Sequence, residues 1–129
     1  MEMVLDMRPR KRKVNKKLED EFDRQLKEAG IDGYERDVTF IPGRRFRADF
    51  WFKDLKLAIE VDGGLWMKTG GHTSGVGSHR DRERDVLAYI KGGILTFRVG
   101  TDHVKGSDRD ALKWVKEIIA RRKDELGVR

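Results

Sequence analysis

The stretch Arg45–Gly64, RFRADFWFKDLKLAIEVDGG, leaves little freedom to the rest of the chain. Phe46, Ala48, Phe50 and Phe52 alternate with Arg45, Arg47, Asp49 and Trp51, and a period of two belongs to a strand with one face in a core. Asp49 therefore points away from the phenylalanines. Lys53-Asp54 reads as a tight turn, after which Leu57, Ile59 and Val61 alternate with Ala58, Glu60 and Asp62 until Gly63-Gly64 ends a second strand. Glu60 and Asp62 share a face. Two apolar strand faces thus carry three carboxylates to neighbouring positions.

Ionised carboxylates set side by side repel, by about 4 kcal/mol for a pair ~4 Å apart at an effective dielectric of 20. A nearby cation or a proton must offset this. Magnesium takes oxygen ligands, keeps several waters and binds through one or two carboxylates plus substrate phosphates, which suits Asp49 and Glu60 on adjoining strands. The bland alternative is ion pairing of Asp49 or Asp62 with Arg45 or Arg47 on a solvated face.

A chain of 129 residues makes one domain with a real core. Charged residues are 40% of it and the balance is +6, which suits a polyanionic partner. There is no cysteine, which excludes disulfides and thiolate zinc sites. With no apolar run near the ~20 residues of a membrane span and no signal-peptide segment, a soluble cytoplasmic protein with no membrane partner is expected.

Residues 1–14 contain MRPRKRKV, a basic arm in which Arg10, Lys11, Arg12 and Lys13 are candidate phosphate contacts; a solubilising tail is the plain alternative. The folded domain is expected over 15–129. Leu18, Phe22, Leu26 and Ala29 recur at helical spacing from an Asn15 cap to a Gly30 stop. Val38–Ile41 reads as an edge strand ending at Pro42-Gly43. Leu65–His79 is a glycine-rich loop holding Lys68 and His72, long enough to suggest a functional role. Arg80–Lys91 reads as a helix packing through Val86, Leu87 and Ile90, Ile94–Val99 as a strand covered on both faces, and Ser107 with Asp110 as the cap of a last helix with an Ala111, Leu112, Val115, Ile118, Ile119 stripe. The order predicts an α/β fold: a mixed central four-stranded sheet flanked by helices, with a three-stranded antiparallel meander, a fourth strand added in parallel through a crossover helix, and a C-terminal helix.

An Asp on one strand followed by Glu-x-x on the next resembles the PD-(D/E)xK nuclease superfamily, in the subgroup of very short patch repair and small phage endonucleases. The likeness runs through LEDEF from Leu18, RRFRADFWF, KLAIEVDGG, GGHTSGVG and DRERD, about Leu18 to Val104. It departs at Asp62, where the superfamily usually has lysine. The resemblance implies a restriction-endonuclease-like αβββαβ core and a metal-dependent DNA endonuclease. Asp49, Glu60, the Val61 carbonyl and, from the first helix, Glu19 would hold Mg²⁺ (or Mn²⁺). His72 or Lys68 would replace the missing lysine in orienting water, and Asp62 would bind a second ion or hold His72. Arg44, Arg45, Arg47, Lys68 and Arg80 would grip phosphate. Holliday-junction resolving relatives act as two-fold dimers, so branched DNA and a homodimer are the expected substrate and assembly. A mismatch- or site-specific nicking enzyme and a non-catalytic DNA-binding module are the alternatives.

Overall fold

The computed structural model describes residues 13–63 and 75–128, with side chains for 16–63 and 81–128. Its elements are α1 (Lys13–Glu28), β1 (Glu35–Thr39), β2 (Arg47–Phe52), a 3-10 turn (Lys53–Leu55), β3 (Leu57–Asp62), α2 (Gly75–Gly92), β4 (Leu95–Gly100), α3 (Thr101–Lys105) and α4 (Asp110–Leu126). The sheet order is β1-β2-β3-β4. β1 and β3 flank β2 antiparallel, and β4 joins β3 in parallel, so the expected meander with a helical crossover is the fold. Among the described residues, no helix is long and apolar enough to cross a membrane.

Both faces of the sheet are covered. Phe50, Phe52, Leu57, Ile59 and Val61 pack against Leu18, Phe22 and Leu26 of α1 and Val115 of α4, with Phe22 and Phe50 edge to face at 5.5 Å. The opposite cluster holds Phe46, Ala48, Trp51, Ala58 and Ala88 of α2. The alternation in β2 therefore separates two buried faces and not a core face from a wet one, because α2 folds back over Trp51 and Ala58. Phe46 and Ala48, at the entry to the strand, belong with Trp51 and not with the other phenylalanines.

Helix α1 begins at Lys13 and takes Asn15 into its first turn; lysine is a good helix former, so the end of the basic run extends the helix. Gly30 stops it as expected. At φ 79° its N–H donates to the Lys27 carbonyl (3.0 Å) while Ile31 N–H donates to Leu26 (2.9 Å), a left-handed cap that satisfies two end carbonyls. Within α1, hydrogen bonds from Arg24 and then Gln25 hold the Glu21 carboxyl down, from an ordinary 4.5 to about 2. A depressed carboxylate stabilises the fold above its unfolded pKa and loses that contribution as pH falls through its folded one. Wild-type melting temperature is accordingly expected to decline between about pH 4.5 and 2, and Glu21→Gln to flatten that decline; equal slopes would remove Glu21 from the acid response.

The remaining differences have local causes. β1 runs over Glu35–Thr39, earlier than Val38–Ile41, and Phe40 and Ile41 turn into the core, Phe40 lying 5.4 Å from the Trp51 ring. α2 starts at Gly75, inside the segment expected as loop; residues 64–74 of that loop lie outside the described residues. On α2 the buried positions are Arg84 and Ala88, with Leu87 partly covered, whereas Val86 and Ile90 are exposed. β4 is an edge strand and not a covered one, with Phe97 at the surface. Ser107 does not cap the last helix: a separate turn, α3, precedes it, and the α4 cap is Arg109 in the left-handed region at φ 50°. The apolar stripe of α4 packs as expected, Ala111 and Val115 buried and Leu112, Ile118 and Ile119 against the same cluster.

Candidate active site

Asp49 and Glu60 come together through the register of β2 and β3. The β2–β3 pairing runs from Phe52–Leu57 through Trp51–Ala58 to Phe50–Ile59, and Asp49 and Glu60 are the next residues beyond its end. There the Val61 N–H donates to Asp49 Oδ2 at 2.7 Å, tying the carboxylate to β3. Both acids are buried, Asp49 at 2% and Glu60 at 6% exposure. Glu60 and Asp62 share the sheet face of Ala58, the face that α2 covers.

Two arginines outside the expected site residues bring positive charge to this face. Arg84, nearly buried on α2, sets Nη1 3.4 Å from Glu60 Oε2 and Nη2 3.3 Å from Asp81 Oδ1. Arg98, on β4, reaches Asp85 at 2.9 Å, Asp81 at 3.7 Å and Asp62 at 3.9 Å. Burial works against the Arg98 charge, but Asp81, Asp85, Asp62 and Glu60 outweigh it and raise the guanidinium pKa. The acids of β3 and α2 are thus interleaved with two guanidinium groups. Arg98 was detectable as the one charge in the run ILTFRVG; Arg84 was hidden among the charges of DRERD, where only its burial distinguishes it. In the same run Asp81 contacts both arginines, while Glu83 pairs with Arg44 at 3.1 Å.

Glu19 is buried beside the α1 core stripe, with Arg36 at 3.8 Å and the Arg36 guanidinium 5.3 Å from the centre of the Phe50 ring. Arg47 pairs with Asp37 at 3.1 Å and donates to its carbonyl at 2.7 Å. Arg44 lies over Phe46, and Arg45 is exposed in the same loop. Lys13 begins α1 and Arg80 lies in α2, both with side chains outside the described residues, as are Arg10, Lys11, Arg12, Lys68 and His72 altogether.

Among the described residues, no group of three or more His, Cys, Asp or Glu side chains is arranged to hold a metal ion. The donors on offer are the buried carboxylates of Asp49 and Glu60 beside the end of the β2–β3 pairing, with the Val61 backbone bonded to Asp49. That set fits Mg²⁺, which binds through one or two carboxylates and fills its octahedron with water and phosphate. No family model, curated protein or solved structure matches the chain.

Proposed function

We propose that the protein is a metal-dependent DNA endonuclease of the PD-(D/E)xK kind, selective for branched DNA. The observation that carries this reading is the pair Asp49 and Glu60, two buried acids just past the end of the β2–β3 pairing, where the Val61 N–H donates to the Asp49 carboxylate. Burying acids costs free energy that a bound cation offsets, which supports metal binding here. Asp49 and Glu60 would hold Mg²⁺ with the Val61 carbonyl. A divalent ion held there would supply Lewis-acid polarisation of the scissile phosphate and a water of lowered pKa. The chain's own groups do the remainder: the Val61 N–H fixes the Asp49 carboxylate, and Arg84 and Arg98 offset negative charge on the same face. Arg44 and Arg45, on the loop before β2, and the basic residues 10–13 are the proposed phosphate contacts, with Glu19, Asp62, Lys68, His72 and Arg80 as further candidates of the same scheme.

One observation favours a second reading, a non-catalytic DNA-binding module: Arg84 already supplies Glu60 with a cation at 3.4 Å. Labelled duplex, nicked, flap, mismatched and four-way-junction DNAs, incubated with the protein in Mg²⁺ or Mn²⁺ and in EDTA, separate the two. Symmetrical cuts confined to the junction and abolished by EDTA are expected. Nicking of linear duplex would point to a repair-type enzyme, and binding without any cut to the module. Cleavage that persists in EDTA would remove the metal from the scheme.

A further inference from the structure

The outer edge of β4 and the adjoining face of α4 form a surface with its own logic. Leu95 N–H donates inward to the Lys56 carbonyl of the neighbouring strand's approach. Because the hydrogen-bonding groups of successive strand residues alternate in direction, those of Thr96 and Arg98 face away from β3. Leu95, Phe97, Trp114 and Ile118 line a groove of about 650 Å³ between β4 and α4. Phe97 is 36% and Trp114 42% exposed.

Helix α4 crosses this edge in the direction opposite to β4. Its C-terminal half donates through Arg122 Nη2 to the Gly93 carbonyl before the strand, at 2.7 Å, and near its start Trp114 packs on His103 after the strand, with ring centres 4.9 Å apart. The midpoints of the two elements, Phe97 and Ile118–Ile119, therefore lie near one another. Along α4, Lys113, Glu117, Arg121 and Glu125 are all exposed at intervals of four residues, one row on the helix surface. A two-fold axis at Ile119 would put Glu117 against Arg121 and Lys113 against Glu125 of a second copy, opposite signs at every position. The same kind of axis at Phe97 puts Thr96 opposite Arg98 of the second copy, both with outward-facing backbone groups. Phe97 then faces its own copy in a non-hydrogen-bonded pair, in which Cα atoms approach to ~4.5 Å and side chains meet.

We infer that β4 and α4 form an isologous interface at which two copies of this chain join their sheets edge to edge, with Phe97 at its centre, Trp114 towards its ends and the Glu117/Arg121 pairs along its flank. An edge strand left with outward backbone groups is a template for strand addition, and a surface that is self-complementary in charge, backbone and apolar content selects its own copy as the occupant. This assembly does not depend on the nuclease reading; it names the contact that a dimeric enzyme would use.

Sedimentation equilibrium over a concentration series tests it. The wild-type protein is expected to approach twice the 15.0 kDa chain mass. Glu117→Arg and Arg121→Glu should each weaken self-association on the order of a hundredfold, by setting like charges opposite one another. Mixing the two variants should restore a dimer, as a heterodimer, and the double variant should dimerise by itself. The exposed Arg121–Glu125 pair within the helix, at 3.4 Å, cannot produce that rescue. Thr96→Pro, which removes an outward N–H and leaves the β3 ladder intact, should give a folded monomer by circular dichroism. A wild-type protein that stays at the chain mass at all concentrations, or variants that do not recover on mixing, would overturn the interface.

Discussion

Asp49→Asn is expected to give a folded protein that still binds DNA and no longer cuts it. The choice of asparagine follows from the hydrogen bond: Asp49 accepts the buried Val61 N–H at 2.7 Å, so alanine would leave that donor unsatisfied at a cost of about 1–3 kcal/mol and mix a stability loss with a catalytic one. Asparagine keeps an acceptor oxygen and removes the charge. If Asp49 holds the metal, the loss of several kcal/mol of charge stabilisation at the reacting phosphate lowers the cleavage rate on the order of a thousandfold or more. DNA affinity stays the same or rises, because a group repelling phosphate is gone. Single-turnover cleavage with saturating protein, set beside an anisotropy titration and a thermal melt, reads the three quantities separately. A variant that cleaves at the wild-type rate would end the metal-site reading. A variant that loses its fold would make Asp49 a structural acid.

Arg84→Ala is expected to be the most destabilising single change on this face. Arg84 sits between Glu60 on the sheet and Asp81 on its own helix, all but out of water. Removing one partner of a buried ion pair costs about 3–5 kcal/mol, because the other charge keeps its desolvation penalty and loses its compensation. For a chain of this size that lowers the melting temperature by on the order of 10 °C. In EDTA the whole loss should appear. If Glu60 is a metal ligand, Mg²⁺ then raises the midpoint of the variant more than that of the wild type, since the competing guanidinium is absent and ligand binding to the folded state alone is stabilising. A loss of the expected size with no response to Mg²⁺ would instead favour the module reading, in which the arginine is the permanent counter-ion of Glu60. Arg84→Lys preserves the charge without the planar fork, and should fall between the two.

Local periodicity was sufficient for the order of the strands and the long helices, the turn between β2 and β3, the common face of Glu60 and Asp62, the Gly30 cap and the apolar stripe of α4. Each depends on residues a few positions apart, where backbone geometry alone sets which side chains are neighbours. Through those patterns Asp49 and Glu60 could be chosen before any contact was known. Tertiary structure decided the rest. That β2 is buried on both faces follows from where α2 comes to lie, and so does the surface position of Val86 and Ile90, whose spacing alone looks like a packed stripe. Arg84 and Arg98 are sequence neighbours of many similar charges; only burial against Glu60, and the reach across strands to Asp62, Asp81 and Asp85, sets them apart. The edge of β4 was hidden for the same reason. An apolar run reads alike whether or not a further strand lies beside it, and exposure of Phe97 and Trp114 depends on how α4 crosses the sheet.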